Sequence, residues 1–143
     1  YAVYRNGVWY IWQSSNGQVR IAQFGLANDK PVAGDYDGDG KTDLAVWRGS
    51  TGVWYIWRSS DGGYDFRQFG LNGDIPLVGD FDGDKMADYT IFRPSTSVWY
   101  VNLSSNGDFK ILSWGISTDI PVPGDFDRDT KTDFGVFRPS EGN

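Results

Sequence analysis

Apolar and polar residues alternate along most of the chain, and no segment sustains a helical period. The strongest pattern is a strand apolar on both faces, "VWYIW", at Val8 and again at Val53, with "VWYVN" at Val98, each 45 residues after the last. Phe24-Gly25, Phe69-Gly70 and Trp114-Gly115 keep the same step, as do Pro31, Pro76 and Pro121. A fixed period of this length marks a repeat architecture. Each unit predicts four short strands. The first is small and glycine-containing ("PVAGD"). The second reads "DLAVWR", "DYTIFR" or "DFGVFR", the third is the "VWY" strand, and the fourth alternates, as at Val19/Ile21, Tyr64/Phe66 and Phe109/Ile111. Asn16-Gly17, Asp61-Gly62 and Asn106-Gly107 join the third strand to the fourth, and such pairs favour hairpins because both residues tolerate positive φ.

Four antiparallel strands in about 45 residues is the size of one β-propeller blade. A third strand with Trp54 and Ile56 on one side and Tyr55 and Trp57 on the other suits a sheet covered on both faces. The expected fold is therefore all-β, a β-propeller of four-stranded antiparallel blades, about three per chain. Residues 1–143 form one repeat domain: a partial blade at 1–30, blades at 31–75 and 76–120, and a partial blade at 121–143.

Between the first two strands of a unit lies "GDYDGDGKTD", then "GDFDGDKMAD" and "GDFDRDTKTD". So many like charges need a positive centre. Calcium takes six to eight oxygens, whereas magnesium keeps its waters and accepts few protein ligands. The ligand positions are Asp35, Asp37, Asp39 and Asp43, with the carbonyl of Lys41. Their repeats are Asp80, Asp82, Asp84 and Asp88 with Met86, and Asp125, Asp127, Asp129 and Asp133 with Lys131. Up to three Ca2+ per chain are expected. An EF-hand would need Glu at loop position 12 and flanking helices; Val46, Ile91 and Val136 stand there, in strand-like runs. Glycine holds loop positions 4 and 6 in the first copy, Gly83 and Lys85 in the second, Arg128 and Thr130 in the third.

Composition narrows the function. The net charge is −6, and the loops hold four Asp in each of three copies out of 19 acidic residues, so the acidity is mostly ligand charge. No basic patch suggests nucleic acid, and no apolar run reaches the roughly 18 residues of a membrane span. With neither Cys nor His in a nearly periodic chain, an enzyme is not expected. The opening at Tyr1, already inside a strand-like pattern, reads as a processed, trimmed or excised start.

The Phe/Trp-Gly pairs, the D-x-P-x-x-G-D runs from Asp29, Asp74 and Asp119, and the D-x-D-x-D-x-x-x-D loops together resemble the FG-GAP/VCBS repeat family of calcium-binding β-propellers, whose members include integrin α-subunit heads and some fungal lectins. That resemblance implies a secreted, extracellular binding or adhesion module recognising a glycan or a protein surface. A purely structural accessory propeller, or an excised fragment of a larger secreted protein, is the alternative. Aromatic positions that vary between copies, Trp12, Trp47 and Trp57 among them, are the sugar-stacking candidates. Arg5, Arg48, Arg93 and Arg138 are expected to make structural hydrogen bonds. Asn102-Leu103-Ser104 is a glycosylation sequon inside an expected strand.

Residues 134–138 duplicate 1–5, and three blades are too few to close a ring. The expected assembly is a homodimer of about six blades, or a place in a longer propeller, with one of the duplicate strands displaced and the residues after Arg138 poorly ordered.

Overall fold

The computed structural model describes residues 1–142 and places antiparallel sheets throughout them, with a single 3₁₀ turn at Pro139–Glu141. The first sheet holds β1 (Ala2–Arg5), β2 (Val8–Trp12) and β3 (Val19–Gln23). The second holds β4 (Lys30–Pro31), β5 (Leu44–Arg48), β6 (Val53–Trp57) and β7 (Tyr64–Gln68). The third repeats it with β8 (Ile75–Leu77), β9 (Tyr89–Arg93), β10 (Val98–Asn102) and β11 (Phe109–Ser113), and the last pairs β12 (Ile120–Pro121) with β13 (Val136–Phe137). Within every sheet the strands lie in chain order. No described helix is long and apolar enough to cross a membrane.

The doubly apolar strand behaves as its pattern demands. Trp54 and Ile56 of β6 are fully buried and pack with Ile91 of the third sheet and Ala87 of the loop that leads into it. Tyr55 and Trp57, on the opposite face, lie against a cluster containing Trp9 and Ala22 of the first sheet. Across β5 and β6, Trp47 stands opposite Trp54 and Val46 opposite Tyr55, so large rings meet on one face of the pair and smaller partners on the other. Each "VWY" tryptophan also ties its strand to the Phe/Trp-Gly pair that ends the unit. The indole N–H of Trp9 donates to the carbonyl of Phe24 (3.0 Å), that of Trp54 to Phe69 (2.9 Å) and that of Trp99 to Trp114 (3.2 Å). A buried indole without such a partner would lose a hydrogen bond.

The small first strand is shorter than the motif "PVAGD" suggests. Regular pairing covers Lys30–Pro31, and the rest of the run pairs only through the Val32 N–H on the Ala45 carbonyl and an isolated bridge from Gly34 to Asp43. Proline gives no N–H, and Gly34 has no side chain to anchor a strand. Smallness matters here because a Cβ on Gly34 would sit 2.9 Å from both Ala87 and Val78.

The hairpins form at the three expected pairs, but only the glycine of each, Gly17, Gly62 and Gly107, takes the left-handed conformation. Asn16 instead accepts the Gln18 N–H on its side chain, and Asp61 accepts that of Gly63. The loop is longer than the two-residue form, closed by the Gly17 N–H on the Gln13 carbonyl. An Asx turn does the work assigned to a left-handed Asn. The sequon is structural: Asn102 is 2% exposed, donates to the Gly107 carbonyl and receives Arg67 on its Oδ1. Past Arg138, the expectation of disorder meets an ordered turn in which Arg138 reaches Glu141; Asn143 lies outside the described residues.

Candidate metal centres

Each aspartate loop links the first strand of a sheet to the second, and its own backbone shapes it. In the first loop Asp35 accepts the N–H groups of Gly38 (2.7 Å) and Gly40 (2.9 Å), Asp37 accepts that of Asp39, and Asp39 that of Lys41. Asp43, 1% exposed, closes the ring by accepting the Tyr36 N–H at 2.8 Å. The same bonds recur at Asp80, Asp84 and Asp88, and at Asp125, Asp127, Asp129 and Asp133. Successive loops are joined. The Ala87 N–H donates to the Asp35 carbonyl and the Thr132 N–H to the Asp80 carbonyl, both at 2.6 Å.

These bonds turn carboxylate oxygens toward one point. Ligand atoms of Asp35, Asp37 and Asp39 lie within 4.8 Å of one another, as do those of Asp80, Asp82 and Asp88, and of Asp125, Asp127 and Asp133. Asp43, Asp84 and Asp129 fall outside the tight groups of their own loops. The position of Asp39 thus joins the group in the first loop, and the position of Asp43 joins it in the other two. Among the described residues no donor reaches the carbonyls of Lys41, Met86 or Lys131, which stay free for a ligand. The donor set is all oxygen and mostly anionic, which fits a hard cation of the calcium type.

The environments are not equal. Burial pushes the Asp88 carboxyl up, opposed by the N–H groups of Ser104 and Phe81. Desolvation acts upward on Asp37 and Asp82 too. Hydrogen bonds from Ser60 and Ser105 respectively, with backbone donors, outweigh it and hold both below the usual range. Loop positions 4 and 6 have positive φ in all three copies: 77° and 82° at Gly38 and Gly40, 87° and 73° at Gly83 and Lys85, 68° and 74° at Arg128 and Thr130. A side chain there costs roughly 1–2 kcal/mol, and β-branched Thr130 is the poorest choice. Thr130→Gly is therefore expected to raise stability by about 1 kcal/mol, read as a higher thermal midpoint. A lower midpoint would show that the loop draws no strain from its side chains.

The serines that close the loops are absent from the motif reading. The Ser59 N–H donates to Asp43 (2.7 Å), its hydroxyl to Asp39 (2.9 Å), and the Ser60 hydroxyl to Asp37 (2.6 Å). Ser104 reaches Asp88 and Asp84 in the same way, and Ser105 reaches Asp82. Their signal was present as Ser-Ser pairs at 14, 59 and 104, again 45 apart.

The D-x-P aspartates also gain a role. Asp29, Asp74 and Asp119 are buried and each takes a two-armed bond from the arginine 19 residues later, Arg48, Arg93 and Arg138. Three of the four repeated arginines are thus structural as expected, while Arg5 rests over the Tyr10 ring at 5.8 Å. Of the sugar-stacking candidates, Trp12 is 55% exposed. Trp57 is half-buried beside Phe24 and Tyr64. Trp47 is 1% exposed and gives its indole N–H to Phe69, so it offers no open ring face, only an edge in a 560 Å³ cleft lined also by Lys30, Asn72 and Asp74.

Residues 35–89, which hold the first two loops and the strands between them, match the family model of the FG-GAP-like repeat. No curated protein and no solved structure gives a match. The matched segment, and the motifs that repeat on either side of it, are consistent with the FG-GAP/VCBS repeat family.

Proposed function

We propose that the chain is a calcium-stabilised β-propeller module that binds a glycan or a protein surface and carries out no chemistry. Its sheets would be blades at residues 31–75 and 76–120, with partial blades at 1–30 and 121–143. Two chains would make about six blades. The observation that carries this reading is the threefold recurrence of one oxygen cage at a 45-residue step, in a chain whose segment 35–89 matches an FG-GAP-like repeat. Calcium in such cages acts on structure, and the millimolar calcium outside cells suits the weaker class of such sites; a secreted location follows from that. Sugar contact would fall on Trp12 and Trp57. That Trp47 is spent on the core and Trp57 is flanked by two rings favours a second reading, an accessory scaffold whose aromatics serve packing.

Calorimetric titration is expected to find three calcium ions per chain and little heat with magnesium. No calcium binding would overturn the metal reading. A glycan array run with calcium and with chelator separates the two functional readings: calcium-dependent hits that Trp12→Ala weakens support recognition, and a blank array supports the scaffold.

A further inference from the structure

Departures from the repeat gather at the end of the second sheet that lies away from its aspartate loop. Lys30 pairs with Trp47 at that end of β4 and β5. Lys30 stands where the later copies have Ile75 and Ile120, Trp47 where they have Phe92 and Phe137, and Gly49 where they have Pro94 and Pro139. All three line the 560 Å³ cleft, which lies between the turn before β4 and the turn before β8. A Cβ on Gly49 would press on the Trp47 ring at 3.2 Å and stand 3.8 Å from Asn72 Oδ1, so the larger ring and the missing side chain go together. The hollow beside Arg93 and Pro94 in the next sheet measures 220 Å³. Ligand sites run from about 300 to 1,000 Å³, and of these two only the first falls in that range.

The cleft carries a positive surplus. Its charged residues are Asp29, Lys30, Arg48 and Asp74. Arg48 holds Asp29 and Arg93 holds Asp74, at 2.8–2.9 Å. Lys30 has no carboxylate partner among the described residues, and its ammonium lies 5.6 Å from the centre of the Trp47 ring. Of the five N–H donors of a guanidinium, Arg48 gives two to Asp29 and one to Tyr55, and two remain. The exposed side chains of Asn28, Ser50 and Asn72 make no hydrogen bond among the described residues.

Resting on the recognition reading proposed above, we infer that this cleft takes the uronate unit of an acidic saccharide. Lys30 and the spare N–H groups of Arg48 would bind its carboxylate, and Asn28, Ser50 and Asn72 its hydroxyls. Its C–H face would lie on Leu26 and the Trp47 edge. Amides and hydroxyls both donate and accept, as sugar hydroxyls do. An extended peptide would instead need a free strand edge, and β4, the edge beside the cleft, has two residues, one of them Pro31. The aspartate loop lies at the other end of β4 and β5, so calcium would hold the sheet and not touch the ligand.

The test titrates the full chain in saturating calcium with hyaluronan tetrasaccharide and tetragalacturonic acid, with maltotetraose as a neutral probe and hexaglutamate as an acidic peptide. Calorimetry is expected to find binding of at least one acidic oligosaccharide, weakening as salt is raised, and none of the other two probes. Lys30→Ile is expected to weaken it about tenfold or more, what a hydrogen bond to a charged group is worth. Its melt should match that of the parent chain, since Ile75 fills the same place in the next copy. Trp47→Phe/Gly49→Pro, which gives the cleft the residues of the next copy, should weaken binding as well. No binding of either acidic oligosaccharide, or equal binding of maltotetraose or hexaglutamate, would overturn the inference. Binding that Lys30→Ile leaves intact and Trp12→Ala removes would overturn the cleft and leave the recognition reading standing, whereas a blank glycan array would remove both.

Discussion

Removing calcium is expected to lower the thermal midpoint by more than about 10 °C. An ion that binds only the folded chain adds about 2.7 kcal/mol when present at a hundredfold its dissociation constant. Three such ions add roughly 8 kcal/mol, a large part of the 5–15 kcal/mol typical of a folded domain. For a chain of this size 1 kcal/mol moves the midpoint by roughly 2–4 °C. The loss has a structural route. Without a cation, three carboxylates stand with oxygens within 4.8 Å in each loop. Their repulsion acts on loops joined in series through the Asp35 and Asp80 carbonyls. Acid should reproduce the loss in calcium buffer, because ligands must be deprotonated to hold the ion. In the ion-free loops burial pushes the Asp88 carboxyl up, while hydrogen bonds hold those of Asp37 and Asp82 down. Single knockouts order the sites: Asp35→Ala is expected to remove the tightest, since the first loop has glycine at both left-handed positions, and Asp125→Ala the weakest. Identical melts in calcium and in chelator would end the structural reading of the metal.

The loops were legible because their chemistry is periodic and costly. Asp at four fixed offsets, three times over, has few explanations besides a cation, and the doubly apolar "VWYIW" strand has few besides a covered sheet. The closing serines were not legible, though they recur as faithfully. Serine is common in turns for its own local hydrogen bonds, so Ser59-Ser60 after a strand gives no hint that its hydroxyls reach Asp39 and Asp37, some twenty residues back. The hairpins were legible at these pairs, but the conformation of their Asn or Asp was not. Asn-Gly favours a two-residue turn only when nothing competes, and here the Asn16 carboxamide takes the Gln18 N–H. The D-x-P aspartates were visible as a motif without a role. Pairing Asp74 with Arg93 needs the sheet, because the two are neighbours only once β8 lies beside β9. How many such sheets come together is a further matter, on which a 45-residue period is silent.

Arg93→Leu is expected to destabilise the chain by about 3 kcal/mol, the low end of the range for breaking a buried ion pair by removing one partner. Asp74 is 2% exposed and receives Arg93 at 2.8 and 2.9 Å, with the Leu71 N–H at 2.7 Å on the same carboxylate. The bridge therefore fixes the turn before β8 as well as β9. Arg93 itself is 23% exposed along its side chain and lies 4.7 Å over the Tyr100 ring. Leucine keeps part of that contact, and water can reach the vacated guanidinium site, so the upper end of the range is not expected. Asp74→Leu combined with Arg93→Leu should cost clearly less than the two single changes added together, because no charge is then left buried. Denaturant unfolding in saturating calcium reads the difference without mixing in metal loss, and additivity would show that the pair acts only as two separate packing groups. The equivalent pair supplies the pH sign. Arg138 holds the Asp119 carboxyl below its ordinary range, chiefly by their hydrogen bonds. Its contribution is therefore full above the ordinary carboxylate range and is lost as pH falls through the lowered value. Arg138→Leu should flatten that part of the acid limb, measured in chelator so that the aspartate loops carry no ion at either end of the range.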